Sequence, residues 1–401
     1  MLTCYLDSQD YSMLTDPKTL NDDRSRIRDQ LREFASSGRV RFVFSAAIVS
    51  ESVPMSADAA HLAERRADFL SSLCAKNALV SFDRLLGLEI QALANQEPER
   101  LQVIDPRGDW FPELPGDLVD HNPFDEIRRL AEKEFAFHGM SRQQRRASAR
   151  KLVKNGTPGR MLRTHLDSFD VDELAARFLD RFPMKPQYAK EMTSYFLGRS
   201  SGRNFQEALL ASLRDPRWMM KWFSTDQSLS SPIAEIVRKP GQELGGLLRQ
   251  FAMTSSTMAK LMIETGEDSQ PTSINGELTR RWHDMIERQM VGIARTVASK
   301  MCLELGDISA ADVDTYCPGL STVLRSMYSS VWSNVAGGRK EQPSDSQPVD
   351  ALHAMYAPYV QVFRADRFMA PHIQKQVKRY DTVVVSQLTK LLETLQVKMQ
   401  L

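Results

Sequence analysis

Strand signals that end in an acid stand at both ends of this 401-residue chain, and a long helical middle separates them. At the start, Leu2-Thr-Cys-Tyr-Leu6 runs directly into Asp7. Near the finish, Val360-Gln-Val-Phe363 leads through Arg364 and Ala365 to Asp366. Ahead of that strand, the turn Pro343-Ser-Asp-Ser-Gln-Pro348 opens a short helix with Asp350 at its start and His353 three residues on. Either end alone would form a half-sheet with exposed edges, so the two must meet. Open α/β sheets take their ligands beyond the carboxyl ends of the strands. Several carboxylates gathered there, with no lysine among them, suit a divalent cation better than an organic anion.

The pattern of the opening hundred residues agrees. A helix is predicted from about Asn21 to Ser36, a strand over Val40–Phe44, a long helix through Ala57–Lys76, a short strand at Ala78–Phe82 and a helix carrying Glu89. The last sixty residues continue in this style. They carry a helix over Val349–Tyr356, the strand Val360–Phe363, a helix at Met369–Val377, the strand Thr382–Ser386 and a final helix from Leu388. Such alternation predicts a parallel sheet flanked by helices. In between, Pro106, Pro112, Pro115 and Pro123 mark an irregular connector. Beyond it, apolar residues recur at helical spacing through most of the stretch to Val335, which argues against further sheet. Gly337–Pro343 reads as the linker back. The expected organisation is therefore an α/β domain built from residues 1–95 and 341–401, split by a mostly α-helical insertion over 96–340.

These residues resemble the PIN-like nuclease family, whose pattern is an Asp after the first strand, a Glu after the second, an Asp opening a late helix and an Asp after the fourth strand. Here those places fall on Asp7, Glu51, Asp350 and Asp366. The run Asp350-x-x-His353-x-x-Tyr356-x-Pro358-Tyr359 is similar to a poorly characterised bacterial branch of that family. The likeness covers roughly residues 1–95 and 341–401 and leaves the middle untouched. It implies a metal-dependent nuclease, with Mg²⁺ or Mn²⁺ on Asp7, Asp350 and Asp366, and with Glu51 as a further ligand or as the group that orients the attacking water. His353, Asp10, Asp345 and Glu89 are expected to touch substrate or support these carboxylates, and Asp10 and Glu89 compete with Glu51 for its place. RNA is expected over DNA because the family mostly cuts RNA. Its members include toxins, defence effectors and RNA-processing factors.

Charge and composition neither announce nor oppose this. With 52 basic and 51 acidic residues the net charge is +1, so a polyanionic partner must be met by local charge. One segment supplies it: Arg142, Arg145, Arg146, Arg150, Lys151 and Lys154, with no acid between Glu134 and Asp167. As a helix it would line a phosphate backbone without sequence specificity; as a solvated face its charges would pair with Asp125, Glu126 and Glu132. Four cysteines without ligand or framework spacing suit reduced thiols. No uninterrupted apolar run is long enough to span a bilayer, and the opening residues lack a signal-peptide pattern, so a cytoplasmic protein is expected. Three functional readings follow: a ribonuclease, a non-catalytic scaffold binding RNA or a protein partner (or a second copy) through the helical part, and a structure-specific DNA nuclease.

Overall fold

The computed structural model describes residues 1–54, 56–97, 101–112, 122–181, 184–225, 271–336 and 347–400. By contacts the chain divides into two compact units, one made of residues 1–112 and 229–401 and the other of residues 113–228.

The first unit opens with β1 (Leu2–Tyr5), α1 (Ser8–Thr15), α2 (Asp22–Ser36), β2 (Val40–Val43), α3 (Ala46–Ser52), α4 (Ala60–Cys74) and α5 (Phe82–Asn95). The second holds α6 (Pro123–Phe137), α7 (Arg142–Leu152), α8 (Arg160–Asp167), α9 (Val171–Arg181), α10 (Pro186–Phe196), α11 (Gly202–Leu213) and α12 (Pro216–Thr225). The first unit resumes with α13 (Pro271–Lys300), α14 (Ala310–Tyr316), α15 (Pro318–Ala336), α16 (Gln347–His353), β3 (Val362–Arg364), α17 (Met369–Val377), β4 (Val383–Val385) and α18 (Leu388–Gln400). The single helix expected over Val349–Tyr356 is thus α16 followed by a 3-10 turn at Ala354–Tyr359.

The sheet runs β2-β1-β3-β4, all parallel. Tyr5 lies opposite Val43 on one side and Phe363 on the other, so strands from the two ends of the chain meet at β1. Helices cover both faces, which is why the strands read as nearly continuous apolar runs. The strand expected at Ala78–Phe82 is reduced to two bridges, Phe44 with Ala78 in parallel and Leu79 with Ile104 in antiparallel. Aromatic packing seals the centre: the Tyr5 ring stacks on Phe363 at 5.1 Å and on Tyr356 at 6.0 Å.

The insertion is narrower than the 96–340 expected from the sequence. Residues 101–112 belong to the first unit, where Val103 accepts a hydrogen bond from Val80, Arg84 pairs with Asp105 at 2.7 Å and Trp110 is buried. The helices between 271 and 336 do as well. The fully buried Glu89 accepts hydrogen bonds from the first amides of α15, at Gly319 (2.5 Å) and Leu320 (3.0 Å), and Tyr359 donates to it too. A carboxylate at a helix N-terminus satisfies amides that have no partner within the helix. Periodicity could locate these helices, but not show which core they join.

The second unit has its own core, in which Met184, Ala189, Met192 and Ala208 are packed by Phe178, Tyr188, Phe205 and Trp222. It also holds a small antiparallel hairpin, Val153–Lys154 with Thr157–Pro158, where only helix was expected. Asn155 and Gly156 both take positive φ (55° and 70°), the conformation a two-residue hairpin turn demands and an Asn-Gly pair supplies.

Gly319 sits at a close joint of the first unit. A Cβ there would lie 2.6 Å from the Met355 carbonyl and 2.7 Å from the Glu89 carboxylate. Gly319→Ala should therefore destabilise the first unit by about 1–3 kcal/mol through overpacking, read as a lowered thermal midpoint. An unchanged midpoint would mean that α15 does not dock here.

Candidate functional site

Each acid expected at the site is placed by the element it begins or ends. Asp7 follows β1 and caps α1, accepting a hydrogen bond from the Gln9 amide at 2.9 Å. Asp366 follows β3 and caps α17, accepting from the Met369 amide at 2.6 Å. Both are short side chains in turns, the ordinary helix-capping position, so one residue closes a strand, starts a helix and aims a carboxylate past the sheet. Glu51 stands on α3, directly after β2, and Asp350 stands on α16 one turn before His353.

Outward from β1 the sheet adds β2 on one side and β3 on the other, so the order reverses between β1 and β3. That switch point is where open α/β sheets form their ligand crevice, and Asp7 and Asp366 flank it. Asp366, Glu51 and Asp7 all lie within electrostatic reach of Asp350. Burial lifts Asp350 to about 7; His353 opposes the rise, and the like charges of Asp366, Glu51 and Asp7 add to it. Burial also raises Asp7, against the pull of His353.

His353 is the cation within this group. Its Nε2 donates to Glu51 Oε2 at 3.2 Å, and its Nδ1 meets the Tyr5 hydroxyl at 2.6 Å, which in turn meets Ser45 Oγ at 2.7 Å. Burial pushes the imidazole down, but Glu51, Asp7 and Asp350 outweigh it and hold the group at about 9. As an imidazolium it donates from both nitrogens.

Two of the four expected supporting residues have other tasks. Asp10 is fully buried, receives the Asp7 amide at 3.2 Å and pairs with Arg364 Nη2 at 3.0 Å. It braces the loop that carries Asp7 and has no exposure to solvent. Burial lifts it to about 7, against the pull of Arg364. Glu89 lies with Tyr359, ahead of β3, at the opposite end of that strand from Asp366, so it does not compete with Glu51. Asp345 lies outside the described residues.

Asp7, Glu51, Asp350 and Asp366 are the acids at this sheet end, where the sequence pattern implied a metal ion. Among the described residues no three His, Cys, Asp or Glu side chains stand close enough together to enclose one. Tyr5, Ser45 and Arg364 are additions that the sequence reading missed. Arg364 carried a signal, since an arginine at the end of an apolar strand must be paired once both faces are covered.

In the second unit, the expected basic segment is the helix α7, started by a Ser141–Gln144 capping box. Its one fully buried residue is Ala149; Arg142, Arg146 and Arg150 recur at four-residue spacing on the exposed side, and Arg145 is half-buried. Asp125 pairs with Arg128 of its own helix at 3.7 Å, and no described acid pairs with the six cations from Arg142 to Lys154.

Comparison with known proteins finds no family model that matches this chain, no similar curated protein and no similar solved structure. No helix among the described residues is long and apolar enough to cross a membrane.

The raised Asp350 predicts a pH signature for the metal-free protein. Its pKa is near 3.8 when unfolded and about 7 when folded, so its contribution to stability is full below about 4 and is lost as pH rises to about 7. Asp350→Asn removes that loss. The stability gain should grow over this window and level off above it, reaching about 1–3 kcal/mol at pH 8. Urea denaturation of both proteins at pH 5 and pH 8 measures it, and an equal gain at both would sink the assignment.

Proposed function

We propose that this chain is a divalent-metal-dependent ribonuclease of the PIN-like class. The supporting observation is the convergence of Asp7, Glu51, Asp350 and Asp366, from four separate elements, at the switch point between β1 and β3. Their chemistry suits Mg²⁺ or Mn²⁺: all are hard oxygen donors, and Asp350 accepts no hydrogen bond from any described residue. Asp7, Asp350 and Asp366 would hold the ion, which when bound supplies Lewis-acid stabilisation and water activation for phosphodiester hydrolysis. Glu51 orients the attacking water, its charge shared with His353. His353, kept as the imidazolium with its two N–H groups held by Glu51 and Tyr5, offers positive charge to the developing negative charge. Tyr5 and Ser45 fix the ring that does this. The preference for RNA over DNA rests on the sequence resemblance.

A non-catalytic scaffold is the second reading. It is favoured by the Glu51–His353 pair, which already balances part of the negative charge, and by the lack of a three-ligand group among the described residues.

Incubation with single-stranded RNA, duplex RNA and flapped DNA in Mn²⁺ distinguishes the readings. Cleavage of single-stranded RNA is expected, and Asp7→Asn or Asp366→Asn should reduce it at least about 100-fold. Asparagine keeps a side-chain oxygen for the cap, so both variants should fold. Wild-type cleavage by either would remove that residue from the site. Absence of cleavage, together with no Mn²⁺-dependent rise in melting temperature, would leave the scaffold.

The basic helix has a separate test. If α7 tracks phosphates, replacing Arg142, Arg146 and Arg150 with Ala should weaken RNA binding at every sequence. The slope of log affinity against log salt should fall by about 2, since each phosphate contact on a single strand accounts for about 0.7. Fluorescence anisotropy at several salt concentrations reads the slope; if it stays the same, α7 is a solvated face.

A further inference from the structure

A cleft of about 560 Å³ opens beside Asp366, bounded by the start of α2, the turn after β3 and the start of α18. Three arginines line it together with two acids, Asp23 and Asp366. Arg24 in the first turn of α2 and Arg367 after β3 line it, and neither has an acidic partner among the described residues. Arg364 lies at its base with a side chain 4% exposed. The Arg364 Nη atoms are taken by Asp10 and by the carbonyls of Ala365 and Val385, but the buried Nε has no partner among the described residues. A buried guanidinium N–H without an acceptor costs free energy that a ligand oxygen would recover. Thr389, at the start of α18, adds a hydroxyl next to helix amides that favour negative charge. Met13, Ile27 and Leu388 supply an apolar wall.

We propose that this cleft binds one phosphorylated nucleoside, with the phosphate on the arginines and the nucleoside against the apolar wall. Its volume is within the range of small-molecule sites and suits one nucleotide rather than a base pair. Guanidinium groups match phosphate oxygens in a planar, two-point geometry that a lone ammonium lacks. The binding stands independently of cleavage. Its role, holding the nucleotide next to the reacting phosphate, rests on the nuclease reading, since Asp366 belongs to both walls.

Calorimetric titration of a 5′-nucleoside monophosphate into the full chain, in the presence of EDTA, tests the binding without chemistry. Saturable binding is expected, weakened at least tenfold in Arg367→Gln and further in Arg24→Gln/Arg367→Gln. Arg367 is exposed and unpaired among the described residues, so its single variant should keep the wild-type melting temperature. Binding that is absent, or unmoved by both variants, would overturn the cleft. Inorganic phosphate binding as tightly as the nucleotide would overturn the nucleoside part. Nucleotide binding without any Mn²⁺-dependent cleavage would support the cleft while overturning the nuclease reading.

Discussion

The buried ion pair between Arg364 and Asp10, 3.0 Å long, joins the two ends of the chain at the site. Either charge alone, desolvated at this depth, would cost several kcal/mol, so each partner needs the other in place. Asp10 receives the Asp7 amide, and Arg364 ends the strand that leads to Asp366. The pair therefore sets the spacing of the two flanking carboxylates as it closes the sheet. Arg364 also reaches the Val385 carbonyl, bringing the end of β4 into the same frame. Distortion here would reach β1, β3 and β4 together.

Excess negative charge is the second constraint. Four carboxylates share one sheet end; Arg364 offsets part of the charge at Asp7, and the larger offset comes from His353. Its ring is oriented on one side by Glu51 and on the other by the Tyr5–Ser45 hydroxyl chain. Tyr5 belongs to β1 and its ring also stacks on Phe363, so the group that orients His353 is part of the central packing. Charge balance and strand packing are linked through that one side chain. Burial raises Asp350, and the like charges of Asp366, Glu51 and Asp7 push it in the same direction.

The overall charge of +1 conceals strong local separation. Acids collect at the carboxyl end of the sheet in the first unit, while α7 in the second unit carries arginines and lysines that no described acid pairs with. The arginines of the cleft beside Asp366 are a third arrangement, local to the first unit. Bulk composition averages over all three, and so it excludes none of the functional readings.

Strand–acid boundaries and helical periodicity were legible in the sequence because they are local properties: a capping Asp directly after an apolar run is visible without a neighbour. The parallel sheet, the split of its domain and the acids at element ends, Asp7, Asp350 and Asp366, could be read on that basis, whereas Glu51 was placed by the family resemblance. Glu89 could not be told from Glu51, since both are helical acids and only the docking of α15 takes Glu89 away. For the same reason, periodicity assigned residues 271–336 to the insertion although they pack in the first unit. The partners of Tyr5, His353 and Arg364 lie up to about 350 residues away in sequence. The local sequence set which groups wait at each strand end; the long-range packing alone decided which of them meet, because burial and charge pairing act through space and not along the chain.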